Sequence, residues 1–239
     1  MSKHSKWAKV KNYKGAADAK RASVFTKLGR AITVAAKQGG GDPVMNFRLR
    51  MAVLKAREAS MPRDTIDRAI ARGVGGGDDA IIEEALYEGF GPAGSVLLIR
   101  VITDNKNRSL QNIRTIMYKH SGSVAGQNSV LWMFEKRGVL RVAAEGDPDE
   151  QTLKLIDLGA QDVVAEDEGY TVTVPPEKLE AVKSAIEEAR MKVEFAEASL
   201  AAKEPLKISD PAERQKLEAL IELLEDDEDV DEVVTNAEI

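Results

Sequence analysis

The sequence predicts an α+β protein: an N-terminal three-helix domain followed by two ferredoxin-like α/β domains, one inserted into the other. Three observations predict it. Apolar residues recur at helical spacing through the N-terminal third, glycines break the chain at residues 73–77, and beyond them strand-like and helix-like segments follow a β-α-β-β-α-β order.

In the first helix, Asp18 to Gln38, Phe25, Leu28, Ile32, Ala35 and Ala36 fall on one face, and Lys20, Lys27, Arg30 and Lys37 on the other. Gly39-Gly40-Gly41 ends it and Asp42-Pro43 offers a turn. Leu49, Ala52, Val53 and Ala56 make a second apolar stripe. Pro62 opens a third helix with Ile66, Ala69 and Ile70, and Gly73 stops it. The stretch Gly73 to Asp79 reads as a flexible linker, because it has almost no side chains to pack.

Beyond the linker, Ser95–Thr103 reads as a strand, Ser109–Lys119 as a helix and Ser129–Phe134 as a strand. A complete unit follows from Gly138: strand Val139–Val142, helix Glu150–Leu158, strands Asp162–Val164 and Tyr170–Val174, helix Glu177–Arg190, strand Lys192–Ala196. A weak strand at Leu206–Ile208, a helix at Pro211–Leu224 and a strand at Val230–Thr235 would complete the interrupted set. The expected domains are therefore 1–77, the split domain 78–136 with 201–239, and the insert 137–200.

Charge is segregated along this plan. The first seventy-two residues carry seventeen Lys or Arg against five Asp or Glu, whereas the remainder carries seventeen against thirty-five. A folded surface without a charged partner is better served by mixed signs, so the N-terminal part is expected to meet a polyanion. At its start, Lys3, His4, Lys6, Trp7, Lys9, Lys11, Tyr13 and Lys14 interleave cations with rings. Cations neutralise phosphates and rings stack on unpaired bases, which suits nucleic acid. A membrane surface is a weaker fit, since Phe25, Leu28 and Ile32 are committed to the bundle.

With no cysteine and only His4 and His120, disulfides, thiolate zinc sites and cysteine nucleophiles are excluded, and a histidine-rich metal site with them. No run approaches the roughly twenty apolar residues of a membrane span. The cytoplasm is the expected location. A mitochondrial presequence would also be basic, but this start is rich in Lys rather than Arg. Gly89-Phe90-Gly91-Pro92-Ala93-Gly94 has dinucleotide-site spacing, yet a strand pattern follows where a helix is required, so it reads as a tight loop. No cofactor and no catalytic residue is expected.

Two further clusters have two readings each. Asp104-Asn105-Lys106-Asn107-Arg108 opens a helix, where amides and the cations Lys106 and Arg108 would hold phosphate, or where Asp104 or Asn105 simply caps. The acidic run Glu225–Asp229 would recruit a basic partner or a cation, or mimic nucleic acid; a solvated turn is the expectation preferred here.

The opening His4-Ser5-Lys6-Trp7-Ala8-Lys9-Val10-Lys11, continued by Asp18-Ala19-Lys20-Arg21 and Phe25-Thr26-Lys27-Leu28, resembles that of the YebC/PmpR family. So do Gly39–Pro43, Asn46, Arg48–Arg50, Met61–Asp64, Tyr87–Pro92, Thr103–Arg108 and Asn236–Ile239. Phe47 and Tyr13 depart from the family pattern, which has Pro or a small residue at the first position and often a basic one at the second. The resemblance implies a helical domain joined to two α/β domains and regulation of gene expression without catalysis. Bacterial members are described as DNA-binding transcriptional regulators, other members as ribosome-associated factors that help synthesis through proline-rich stretches, and the mitochondrial relative as a translational activator for cytochrome oxidase subunit one.

The residues themselves offer no zinc finger, basic zipper or helix-turn-helix pattern, and the arm rings suit splayed bases. The expectation is therefore a ribosome-associated RNA-binding translation factor with ribosomal or transfer RNA as partner, and the alternative is a regulator of transcription on duplex DNA. The expected contacts are the arm cations with His4 and Trp7, then Lys20, Arg21, Lys27, Arg30 and Lys37, then Lys106 and Arg108.

Overall fold

The computed structural model describes residues 18–75, 82–166 and 169–238, with side chains from residue 21 onward in the first helix. The arm residues Lys3, His4, Lys6, Trp7, Lys9, Lys11 and Lys14, like the side chain of Lys20, lie outside what is described. The chain divides into two compact units, Glu135–Ala201 and the parts of the chain on either side of it.

The first unit begins with three helices, α1 (Asp18–Gly39), α2 (Phe47–Glu58) and α3 (Arg63–Val74). Ile32, Ala35, Leu49, Val53, Ala56, Met61, Ile66 and Ala69 form their common core. Asn46 ties the first corner. Its side chain caps α2 by accepting from the Leu49 amide at 3.0 Å and donates to the Ala35 and Gly40 carbonyls at 2.8 and 2.7 Å. Between α2 and α3, Ser60 takes a left-handed conformation (φ 62°) in a four-residue turn, Ala59–Pro62.

The expected linker starts later than the glycines suggest. Gly73 lies inside α3, and a Cβ there would come within 2.5 Å of the Thr33 carbonyl and 2.6 Å of the Ala36 Cβ. This glycine is a packing residue: its missing side chain lets α3 lie against α1.

The α/β part of the same unit is built from β1 (Glu83–Phe90), β2 (Val96–Thr103), α4 (Lys106–Lys119) and β3 (Ser123–Val124), and from segments that return after the insert. A four-stranded antiparallel sheet results, ordered β3-β1-β2 and then the strand Val230–Thr235. Strand β1 is absent from the sequence expectation. Leu131–Met133, expected as strand, is a short 3₁₀ turn. The second difference has its cause in β1: Glu88 is buried, and its carboxylate accepts from the amides of Val130 and Leu131 at 2.7 and 2.9 Å. Amides held by a side chain are not available to a neighbouring strand.

The second unit carries β4 (Phe134–Ala143), α5 (Pro148–Asp157), β5 (Asp162–Glu166), β6 (Gly169–Val174), α6 (Leu179–Glu188) and β7 (Val193–Ala202). Its sheet order, β5-β6-β4-β7, is the ferredoxin-like arrangement expected of the insert. Leu140, Val142, Val172 and Val174 of the sheet are fully buried, as are Leu155 and Ile186 of the helices.

The chain then returns through β8 (Leu206–Lys207), α7 (Pro211–Asp226), β9 (Val230–Thr235) and β10 (Ala237–Glu238). The weak strand near Leu206 exists, but it pairs in parallel with β10 rather than joining the large sheet. Leu217, Leu220, Ile221 and Leu224 of α7 pack with Ile113 and Met117 of α4 on Leu97, Ile99 and Val101 of β2. Val96, Leu98 and Ile102 point to the opposite face and are buried too. Strand β2 is therefore covered on both sides, and α1 packs against it and against β9.

Candidate nucleic-acid interface

The cationic face of α1 does not behave as one surface. Lys27 donates to the Glu225 carbonyl. Arg30 donates to the Glu228 carbonyl at 2.9 Å and pairs with Asp229 at 2.6 Å. Lys37, by contrast, is exposed, and its charge helps to hold the Glu83 carboxyl low. Arg21 is exposed and engaged in contacts of its own. Lys27 and Arg30, expected to follow a phosphate backbone with Lys37, are held instead by the acidic end of α7 in this structure, because α1 lies against β9.

The acidic run forms the expected turn between the last helix and strand, but it is solvated only in part: Asp226 and Glu228 are exposed, and Asp229 is not. Asp229 is only 4% exposed. Its carboxylate accepts from Arg30, from Arg108 at 2.9 Å and from the Ser109 hydroxyl at 2.7 Å. Burial pushes the Asp229 carboxyl up, but Ser109, Arg108 and Arg30 outweigh it and hold the group below the usual carboxylate range. Burial likewise pushes the Lys27 ammonium down, against the raising influence of the carboxylates of Asp227, Glu225, Asp231 and Asp226. The basic partner that an acidic run could recruit is inside the chain.

At the start of α4 the capping reading is the one observed. Asn105 accepts from the Arg108 amide at 3.0 Å, Arg108 pairs with Asp104 at 2.6 Å as well as with Asp229, and Lys106 pairs with Glu83 at 2.7 Å. The Lys106 ammonium, by hydrogen bond and by charge, holds the Glu83 carboxyl low. Both cations are thus partnered before any ligand arrives. The glycine-spaced loop is the tight connection expected, a 3₁₀ turn at Pro92–Gly94 that returns β1 to β2.

The outward face of α3 was not singled out by sequence. Arg63, Asp64, Asp67, Arg68, Ala71 and Arg72 are exposed, while Ile66 and Ala69 are buried. Arg63 is loosely paired with Asp67 at 3.6 Å, both well exposed, and Arg68 donates to the Asp64 carbonyl at 3.1 Å. Pairs this exposed add little energy and are easily exchanged for phosphate. The signal lies in the spacing of the exposed residues, in twos every four positions and all polar but Ala71, opposite the buried Ile66 and Ala69. Between α2 and α3 lies the four-residue turn, the spacing of a helix-turn-helix. At the α1–α2 corner Val44 and Met45 are exposed, beside Arg50, which lies 5.2 Å over the Phe47 ring and donates to the Pro43 and Val44 carbonyls.

Among the described residues no group of three or more acidic or histidine side chains could hold a metal, and no helix is long and apolar enough to cross a membrane.

Comparison with known proteins supplies the family. The chain is 44% identical to a "Probable transcriptional regulatory protein" of Thermoanaerobacter pseudethanolicus over all of this chain and 98% of that one. It is 43% identical to a protein of the same description from Rubrobacter xylanophilus, over all of this chain and 96% of that one. Among solved structures, a conserved hypothetical protein from Aquifex aeolicus superposes with a TM-score of 0.87 at 36% identity, over 93% of this chain and 92% of that one. Residues 5–76 match the model of the TACO1/YebC protein N-terminal domain, and residues 82–237 match that of the TACO1/YebC second and third domain. The chain belongs to the TACO1/YebC family.

Proposed function

We propose that this protein is a non-enzymatic, nucleic-acid-binding regulator of gene expression in the cytoplasm, acting on transcription by contacting duplex DNA through the helical bundle. The observation that carries the reading is the exposed arginine face of α3, set after the four-residue turn in a part of the chain with a large basic excess. A helix so presented can lie along a groove, with Arg63, Arg68 and Arg72 meeting phosphates or base edges. The names of the curated relatives, probable transcriptional regulatory proteins, support the same reading.

If about six phosphates are neutralised, log affinity for duplex DNA falls with log salt at a slope near −5. Replacing Arg63 and Arg68 by Gln should lower that slope by about 2 and weaken binding roughly tenfold. Fluorescence anisotropy across a salt series measures both, and an affinity indifferent to salt would overturn the reading.

A second reading, a ribosome-associated translation factor helping synthesis through proline-rich stretches, is supported by the ring-bearing arm. His4, Trp7 and Tyr13 among lysines suit unpaired bases better than a closed duplex. Co-sedimentation with ribosomes that duplex DNA does not compete away, together with a Trp7→Ala loss larger on structured RNA than on duplex DNA, would favour it. Equal losses on the two ligands would count against it.

A further inference from the structure

Residues 105–134 contain no Asp or Glu, although the chain beyond residue 72 has twice as many acidic as basic residues. Four cations lie in this stretch: Lys106, Arg108, Arg114 and Lys119. The first two are consumed at the start of α4 by Glu83, Asp104 and Asp229. Arg114 and Lys119, on the last two turns, are exposed and have no ion-pair or hydrogen-bonding partner for their side chains among the described residues. Between them stands Tyr118, with 85% of its surface exposed.

These three side chains surround an open groove of about 430 Å³, floored by Gly122, Ser123 and Val124. Helical spacing brings Arg114 and Tyr118 side by side, four residues apart, while Ile113 and Met117 turn inward to the core. The groove thus sets an exposed ring between two cations that have no partner among the described residues, with no carboxylate among the residues that line it. The arrangement matches the needs of an unpaired phosphodiester strand: a flat ring for one base, and a cation on either side for the flanking phosphates.

We propose that the groove at the end of α4 is a second nucleic-acid site, which takes one unpaired nucleotide of a single strand by stacking on Tyr118 and by contact of its phosphates with Arg114 and Lys119. The site rests on the nucleic-acid reading above but is indifferent to whether the strand is DNA or RNA. It lies on the α/β part of the first unit, away in sequence from both the arm and α3.

The test uses the full-length protein with four labelled probes: oligo(dT), oligo(U), a DNA duplex and polyglutamate. Arg114→Gln with Lys119→Gln should weaken single-strand binding about tenfold and flatten its salt slope by about 1.4, since each single-strand phosphate contributes roughly −0.7. Tyr118→Ala should cost about tenfold more, and Tyr118→Phe should restore it, because the ring and not the hydroxyl is used. Oligo(dT) against oligo(U) separates the two sources of strand. Single-strand binding unchanged in the groove variants overturns the site while leaving the regulator reading intact; tighter binding of polyglutamate than of either oligonucleotide also overturns it. Failure of the unmodified protein to bind any of the three nucleic acids overturns the regulator reading itself. All three side chains are exposed, so an unchanged melting temperature is expected to accompany every variant.

Discussion

Two pairs of cations in this protein have the same chemistry and opposite fates. Arg30 of α1 and Arg108 of α4 converge on one buried carboxylate, Asp229. Arg114 and Lys119, the latter eleven residues beyond Arg108, meet no carboxylate among the described residues. The first pair joins the bundle to the sheet, and the second pair is left to the solvent and to whatever anion arrives there. Counting charges along the chain cannot separate them, because what decides is whether the fold brings an acid within about 4 Å.

The comparison breaks most sharply at Asp229. Replacing it by Asn removes the negative charge and one of the two acceptor oxygens shared by two guanidinium groups, and leaves Arg30 partly buried without its counter-charge, at a cost of about 3 kcal/mol. Urea unfolding of the variant measures that loss; a midpoint close to the parent's would mean that the buried network is not structural.

A smaller effect of the same origin is expected from acid. The Asp229 carboxyl is held below its usual range in the folded protein, so its contribution is complete above the ordinary carboxyl value near pH 4. It fades as the pH falls from about 4 through the lowered folded value. Stability of the parent should therefore drop more steeply than that of the Asp229→Asn protein over this interval, and parallel curves would assign the acid sensitivity to other groups.

The smallest effect belongs to the outward pair. Arg114→Gln with Lys119→Gln should change unfolding free energy by less than about 0.5 kcal/mol, the range of exposed substitutions that touch nothing. A larger loss in calorimetry would show that these cations are tied into the fold after all, and the contrast with Arg30 and Arg108 would vanish.

Much of the architecture is legible in the sequence, and the exceptions share a physical cause. The insert reads correctly because its strands alternate and its helices have apolar stripes, so each element announces its own period. Strand β1 does not, since Glu84 and Glu88 make it look like an exposed segment. Glu84 is in fact paired with Arg48 of α2, where the hydrogen bond and charge of that guanidinium outweigh burial and hold its carboxyl low. Glu88 serves as the acceptor for a whole turn. Gly73 reads as linker because a glycine's packing role depends on a neighbour, here α1, that the local sequence does not contain. The helical face of Lys27 and Arg30 is likewise visible as a face, whereas its occupant lies nearly two hundred residues away.

That distance has a consequence for how the molecule is made. Arg30 is synthesised 199 residues before the carboxylate that neutralises it. Through most of translation the finished bundle must hold this charge without Asp229, and docking of α1 onto β9 must wait for the last strands to emerge. Contacts of such long sequence separation form late and slowly. The link between Arg30 and Asp229 thus marks completion: until residues 225–229 have emerged, Lys27 and Arg30 lack the carbonyl and carboxylate partners they have in the folded chain, and their charge is open to any polyanion nearby.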